Sequence, residues 1–307
     1  MQIQADQQWE SILIKESDFY MWIANKWEEY KIIDTSSGEK LEQWGPYTLI
    51  RPDPQVIWKS DKKHPLWKNA DASYKRSRSG GGAWSDNSLP AAWTINYRDL
   101  KFRIKPMGFK HTGLFPEQAA NWDWFRDLID KANRPVNVLN LFAYTGGATV
   151  AAAKSGASVC HVDASKGMVL SAKENASLSG LADAPIRYIV DDCKKFIERE
   201  IRRGKRYDAI IMDPPSYGRG PTGEVWKIEE SIDAFVELAA NLLSDQPLFF
   251  LLNSYTTGLS ASTMKYITDI RLLKNRTGYS EADELGLPVM ASGLSLPCGS
   301  SVRVTFS

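Results

Sequence analysis

The stretch Asp213-Pro214-Pro215-Ser216-Tyr217-Gly218-Arg219-Gly220 follows directly on the apolar run YDAIIM. Two consecutive prolines donate no backbone hydrogen bonds, so a strand must stop here with its carbonyls available. An acidic side chain, a carbonyl, a hydroxyl and a phenol are thereby gathered at the end of a buried strand. Asp213 and the Pro214 carbonyl can accept hydrogen bonds from an amino group and aim its lone pair, while Tyr217 can stack on a planar ring. Pro215 and Ser216 complete this candidate catalytic set. The plainer reading of Asp213 is a turn-forming residue before proline.

Three further strand ends carry residues of the same kind. NLFAYTGGATV places Gly146 and Gly147 where backbone must approach a ligand closely. Seventeen residues beyond Gly146 the next apolar run ends in Asp163, suited to accept from a ribose diol. YIVDDC ends another with Asp191 and Asp192, either of which can accept from an adenine amino group or cap a helix. Two cofactor classes use such acids, dinucleotides and S-adenosylmethionine. The loop YTGGATV lacks the G-x-G-x-x-G spacing of a dinucleotide site, and the third acidic position favours the methyl donor.

These ends need a scaffold, and the chain supplies one from about residue 113. VNVLNLF, SVCHVD, IRYIV, YDAIIM and PLFFLLN read as strands, each followed by a helical stretch, and FPEQAANWDWFRDLIDKA as a helix before the first. That alternation predicts an α/β fold: a doubly wound, mostly parallel, seven-stranded Rossmann-like sheet, the tail GLPVMASGL and SSVRVTFS adding a final hairpin. Residues 1–112 are aromatic and turn-rich, and YTLIRP, PQVIWKS, AAWTINY and LKFRIKP predict a smaller β-rich domain for substrate recognition. The division expected is therefore 1–112 and 113–307.

Within the first part, Lys59 to Trp84 holds seven Lys/Arg against two Asp, with Trp67, Tyr74 and Trp84 interleaved. Lys62, Lys63, Arg76 and Arg78 are candidate phosphate contacts and the aromatics candidate stacking platforms; the alternative is a solvated loop. Arg219, in a Gly- and Pro-rich loop beside the site, is a further candidate, and Trp226 can anchor that loop. The 307 residues carry a net charge of +1 and 43% hydrophobic side chains, so a sizeable core is expected and any attraction to nucleic acid must be local. No apolar run is long enough for a membrane span and the N-terminus is too polar for a secretory signal, so a cytoplasmic protein is expected. Cys160, Cys193 and Cys298 lack metal-site spacing.

VLNLFAYTGGATVAAAKSGA, HVDASKGMVLSAKEN, VDDCKKFI and IIMDPPSYGRG together resemble the class I S-adenosylmethionine-dependent methyltransferases. Among these the resemblance is to the bacterial branch of the 23S rRNA cytosine-5 and guanine-N7 enzymes, over about residues 108 to 255. It implies that Tyr144, Thr145, Gly146 and Gly147 hold the methionine part of S-adenosyl-L-methionine, Asp163 the ribose and Asp192 the adenine. Phe115 and Gln118 belong to a segment that helps close over the cofactor in this branch. Phe142, Ala164, Ser165, Asp191 and Cys193, beside these positions, complete the candidate cofactor set. The PUA module of some members is not evident in the first 110 residues.

The resemblance implies RNA as partner, and the residues choose the atom. Carbon-5 of cytosine reacts only after a thiolate adds to the ring, and members that do this carry cysteine at the end of the fourth or fifth strand. Ser216, Asn253 and Ser254 stand there instead, so a nucleobase nitrogen in rRNA is the expected acceptor. Cytosine-5 transfer, or transfer to a protein or small molecule, is the alternative.

Overall fold

A computed structural model describes residues 21–77, 81–85, 89–108, 110–219 and 225–307, the Arg219 side chain excepted. After a two-residue strand β1 (Trp22–Ile23), the chain forms β2 (Tyr30–Ser36), β3 (Glu39–Trp44), β4 (Tyr47–Pro52), β5 (Ala72–Arg76) and β6 (Gly82–Trp84), one five-stranded sheet. A hairpin of β7 (Trp93–Tyr97) and β8 (Leu100–Ile104) follows. PQVIWKS, expected as a strand, is a turn: Val56 N donates to the Asp53 carbonyl and Ile57 N to that of Gln55. Pro54 within the run cannot donate to a ladder, which favours the turn.

The second half alternates as expected. A 3₁₀ turn Pro116–Gln118 enters α1 (Ala119–Lys131), and then come β9 (Asn137–Leu141), α2 (Gly147–Lys154), β10 (Ser158–Asp163), α3 (Lys166–Leu178), β11 (Ile186–Val190) and α4 (Cys193–Arg202). β12 (Ala209–Met212) leads through a ribbon of β13 (Tyr217–Arg219) and β14 (Val225–Lys227) to α5 (Ile228–Ala240), β15 (Phe249–Ser254), α6 (Ala261–Thr268) and the hairpin β16 (Gly278–Pro288) and β17 (Ser295–Phe306). The sheet order is β11-β10-β9-β12-β15-β17-β16-β1, with β17 antiparallel to both neighbours. It has eight strands rather than the seven expected, because Trp22 and Ile23 add to the β16 edge opposite Leu285 and Gly286.

Side-chain alternation divides the central strands between two cores. Val138, Val159, Ala209, Ile211, Phe249 and Leu251 face one core with α1 and α2; Leu139, Leu141, Ile210, Met212, Phe250 and Leu252 face the other with α4 and α5. The first core also contains Tyr30, Trp44, Tyr97 and Phe102, so it runs without a break from the N-terminal strands into the parallel sheet.

Trp122 of α1 is the joint. Its ring meets Trp27 at 6.2 Å, Tyr97 at 5.7 Å and Phe102 at 5.2 Å between centroids. Replacing it with alanine leaves a large cavity between the two halves. Trp122→Ala should cost about 3–5 kcal/mol, read as a lower urea midpoint in a circular-dichroism titration; an unchanged midpoint would refute the joint.

Candidate active site

The order of strands reverses between β9 and β12, and ligands of doubly wound sheets bind outside the strand ends at such a point. The turn after β9 is tightly constrained. Phe142 and Tyr144 hold φ of 54° and 51°, a left-handed conformation that side chains rarely adopt. Hydrogen bonds hold it there: Ala143 N donates to the Val162 carbonyl at 3.0 Å, and Tyr144 N to Asp163 Oδ2 at 2.8 Å. Gly146, at φ 82°, begins α2, and a Cβ on it would lie 2.7 Å from that of Ala172. A Cβ on Gly147 would lie 2.8 Å from Trp122 Cζ2. Packing therefore requires both glycines, and backbone conformation also requires Gly146.

Beneath the turn, Asn140 donates to Thr149 Oγ1, which lies 2.9 Å from Nδ1 of buried His161. Burial pushes that imidazole down to about 4, so it stays neutral. A cavity of about 50 Å³ is lined by Phe115, Gln118, Phe142, Tyr144, Thr145 and Gly147, and by Asp213 from the end of β12. Its size admits only a few heavy atoms, so the bulk of a nucleoside cofactor must lie outside it.

Asp213 has no hydrogen bond or ion pair to a described residue. It is half-buried, and burial, then the charge of Glu117, push its carboxyl up to about 7. The Pro214 carbonyl accepts no backbone hydrogen bond from a described residue, whereas that of Pro215 is taken by Trp226 Nε1 at 2.6 Å. Trp226 also meets Phe142 and Phe235 edge to ring, so the ribbon is anchored over the site. Ser216 Oγ accepts from Thr256 Oγ1 at 2.6 Å, and Tyr217 stands exposed on the ribbon.

The remaining candidates fall in three groups. Asp163 is committed to backbone, since its second oxygen accepts from Ser165 N at 2.8 Å, and Ala164 and Ser165 are exposed before α3. Asp192 caps α4 through Lys195 N at 2.9 Å, and Asp191 pairs with Arg199. The Cys193 thiol is turned inward, accepting from Phe142 N at 3.3 Å, and burial drives its pKa far up, so it is a brace rather than a ligand-facing group. In the basic segment Lys62 pairs with Glu39 and sits 4.2 Å from the Trp67 ring centre, whereas Lys63 is exposed in a surface pair with Asp61. The Trp67 and Trp84 indoles donate to Asp34 and to the Met107 carbonyl, and Tyr74 is buried against Trp84, so these rings are not open stacking platforms. Arg76 is exposed on β5; Arg78 lies outside the described residues, as does the Arg219 side chain.

Two site residues carried no sequence signal of their own. Glu117, buried and with its pKa raised by burial, lies between Phe115 and Gln118, and Tyr255 follows β15. Gln118 Nε2 donates to the Tyr255 hydroxyl at 2.8 Å, and Glu117 and Tyr255 line the same cavity. Only the proximity of Glu117 to Phe115 and Gln118 pointed to it.

A reversed parallel sheet, a glycine-tight turn after its first strand and acids at the next strand ends define a nucleoside-cofactor fold of the methyltransferase type. The chain belongs to the S-adenosylmethionine-dependent methyltransferases, whose family model matches residues 69–230. S-adenosylmethionine is its methyl donor, and the close-packed glycines and unpaired Asp213 fit such a group. It is similar to the solved SAM-dependent methyltransferase of Agrobacterium tumefaciens, at 36% identity over 92% of this chain and 93% of that one, with TM-score 0.86. A methyltransferase structure from Streptococcus mutans shares the fold at 19% identity, covering 91% and 76% with TM-score 0.71. Ribosomal RNA large subunit methyltransferase K/L of Shewanella baltica strain OS155 is 34% identical over 62% of this chain and 25% of that protein. That of Shewanella frigidimarina is 37% identical over 42% and 18%. The chain thus spans a quarter or less of the length of these curated relatives.

The Asp213 shift has a measurable sign. An unfolded Asp titrates near ~3.9, so the folded protein keeps this proton longer and loses stability as pH rises from about 4 to about 7. Asp213→Asn removes the loss. Its stability advantage over wild type should widen by on the order of 1–3 kcal/mol between about pH 4.5 and about pH 8, followed by thermal melts; a constant difference would contradict a desolvated carboxyl.

Proposed function

We propose that this chain transfers methyl from S-adenosylmethionine to a nitrogen of a nucleobase in ribosomal RNA, in the cytoplasm. The observation that carries the reading is the unpaired Asp213 carboxyl beside the Pro214 carbonyl, at the cavity lined by the Tyr144 to Gly147 turn. The names of the Shewanella relatives support RNA as the substrate class. The cofactor supplies, when bound, an electrophilic methyl carbon on a sulfonium.

The protein's own part is largely positioning, since an in-line displacement needs little else once the partners are aligned. Asp213 and the Pro214 carbonyl accept from the N–H groups of the acceptor and direct its lone pair. As the new carbon–nitrogen bond forms and the carbon–sulfur pair returns to sulfur, the acceptor nitrogen must shed a proton. A carboxyl poised near 7 can take it at neutral pH. Asp163 and Asp192 each retain carboxylate lone pairs beyond their backbone bonds, available to a ribose diol and an adenine amino group. Because a stacked base cannot enter so small a site, the acceptor is flipped out or already unpaired.

The thiols argue against carbon-5 chemistry. Cys160 is buried and pushed up to about 11, and Cys193 faces the core. Cys298 lies near the site, but burial and then Glu117 raise its pKa well above the ordinary value, the reverse of an activated nucleophile.

Asp213→Ala should lower kcat by about 10²–10⁴-fold while leaving cofactor affinity by isothermal titration unchanged. Cys298→Ser should retain turnover, and loss of transfer in Cys298→Ser would instead establish the thiol route. The substrate class is tested by mass spectrometry of rRNA nucleosides from cells with and without the gene. Identical methylated nucleosides in both would overturn rRNA as substrate.

A further inference from the structure

A second cavity, about 350 Å³, adjoins the first: Leu114 and Phe115 line both. That volume lies in the range of pockets that enclose small organic ligands. Its lining joins the two halves of the protein, with Lys40 of β3 and Arg51 of β4 on one side and Glu117 and Tyr255 on the other. The Phe115 ring lies 5.5 Å from those of both Tyr144 and Tyr255, so an aromatic wall separates this cavity from the one holding Asp213.

One cation on this lining has no anion among the described residues in contact with its side chain. Glu42 holds Arg51 through two contacts, at 2.6 and 2.8 Å, and lies 3.5 Å from Lys40, which also reaches Asp53 at 3.3 Å. Two carboxylates thus answer two cations. Lys110 is a third cation on the same lining, and it makes no hydrogen bond or ion pair from its side chain to a described residue. Its backbone is fixed, because its carbonyl accepts from Arg51 Nη1 at 3.1 Å. Glu117, on the opposite side of the lining, makes no ion pair with Lys110. Burial lowers the Lys110 pKa, against the charge of Asp53 and together with the charges of Lys40, Arg51 and Arg76.

We propose that this cavity receives the acceptor nucleotide, with Lys110 holding its phosphate and the Phe115 wall guiding its base toward Asp213. The inference rests on the nucleobase reading above and adds to it the anchor and the face of entry. It assigns to the N-terminal sheet a direct part in shaping the substrate pocket, whose wall includes Lys40 and Arg51.

The test uses the full chain with S-adenosylhomocysteine added. Acetylation of Lys110 by an N-hydroxysuccinimide ester, followed by peptide mass spectrometry, should slow several-fold with a 5′-mononucleotide and not with the matching nucleoside. In transfer to undermethylated rRNA, Lys110→Met should raise KM by about tenfold, the worth of one hydrogen bond to a charged group, with kcat and S-adenosylhomocysteine affinity unchanged. Lys110→Arg should restore KM. Equal labelling with nucleotide and nucleoside, or an unchanged KM in Lys110→Met, overturns the anchor and leaves nucleobase methylation standing. A wild-type enzyme that methylates no rRNA overturns the functional reading itself, whatever Lys110 does.

Discussion

The contact of Trp122 with Gly147 sets the position of everything around it. The indole occupies the space that any larger residue at 147 would need, and its other faces meet Trp27, Tyr97 and Phe102. One side chain therefore fixes α1 against the cofactor turn and the N-terminal strands against α1. The segment Leu114 to Gln118, which immediately precedes α1, is then forced across the strand ends. It becomes the common wall of both cavities. Well-packed interiors transmit such constraints because they hold few voids into which a displaced ring could relax.

Electrostatics divides the same region into two regimes. Burial raises the pKa of both acids, Glu42 and Asp213. For Glu42 the neighbouring Arg51 and Lys40 outweigh burial and bring it down to about 2, so it is a fixed anion. Asp213 has no cation to oppose burial, and Glu117 adds to the effect. An acid without a partner is a cost to the fold, and such costs persist where function requires them. The opposite directions of the two carboxyls accordingly come from their neighbours.

Most of the parallel sheet was legible, because a strand buried on both faces must be apolar throughout and a helix must follow it. β9, β10, β12 and β15 could be read on that ground, and the tail hairpin from its turn residues. The eighth strand could not, since two residues in Trp22–Ile23 carry no periodicity. PQVIWKS failed because apolar content suggested a strand where Pro54 dictated a turn. The aromatics of the basic segment failed differently. Trp67, Tyr74 and Trp84 have the composition of a nucleic-acid surface, but sequence does not say which way an indole N–H points, and theirs point inward.

The site shows the same limit more sharply. Residues at strand ends could be named because topology alone exposes them. Glu117, Tyr255 and Lys110 could not, because their roles arise from segments that meet only after folding. The first core runs continuously past residue 112, and the family match begins at residue 69, among the strands of the first half. A sheet that contributes Lys40 and Arg51 to a cavity adjoining that of Asp213 is packed into the same core as the parallel sheet. The cavities at the end of β12 are accordingly lined by residues more than a hundred positions apart in sequence, brought together by packing in which Trp122 takes part.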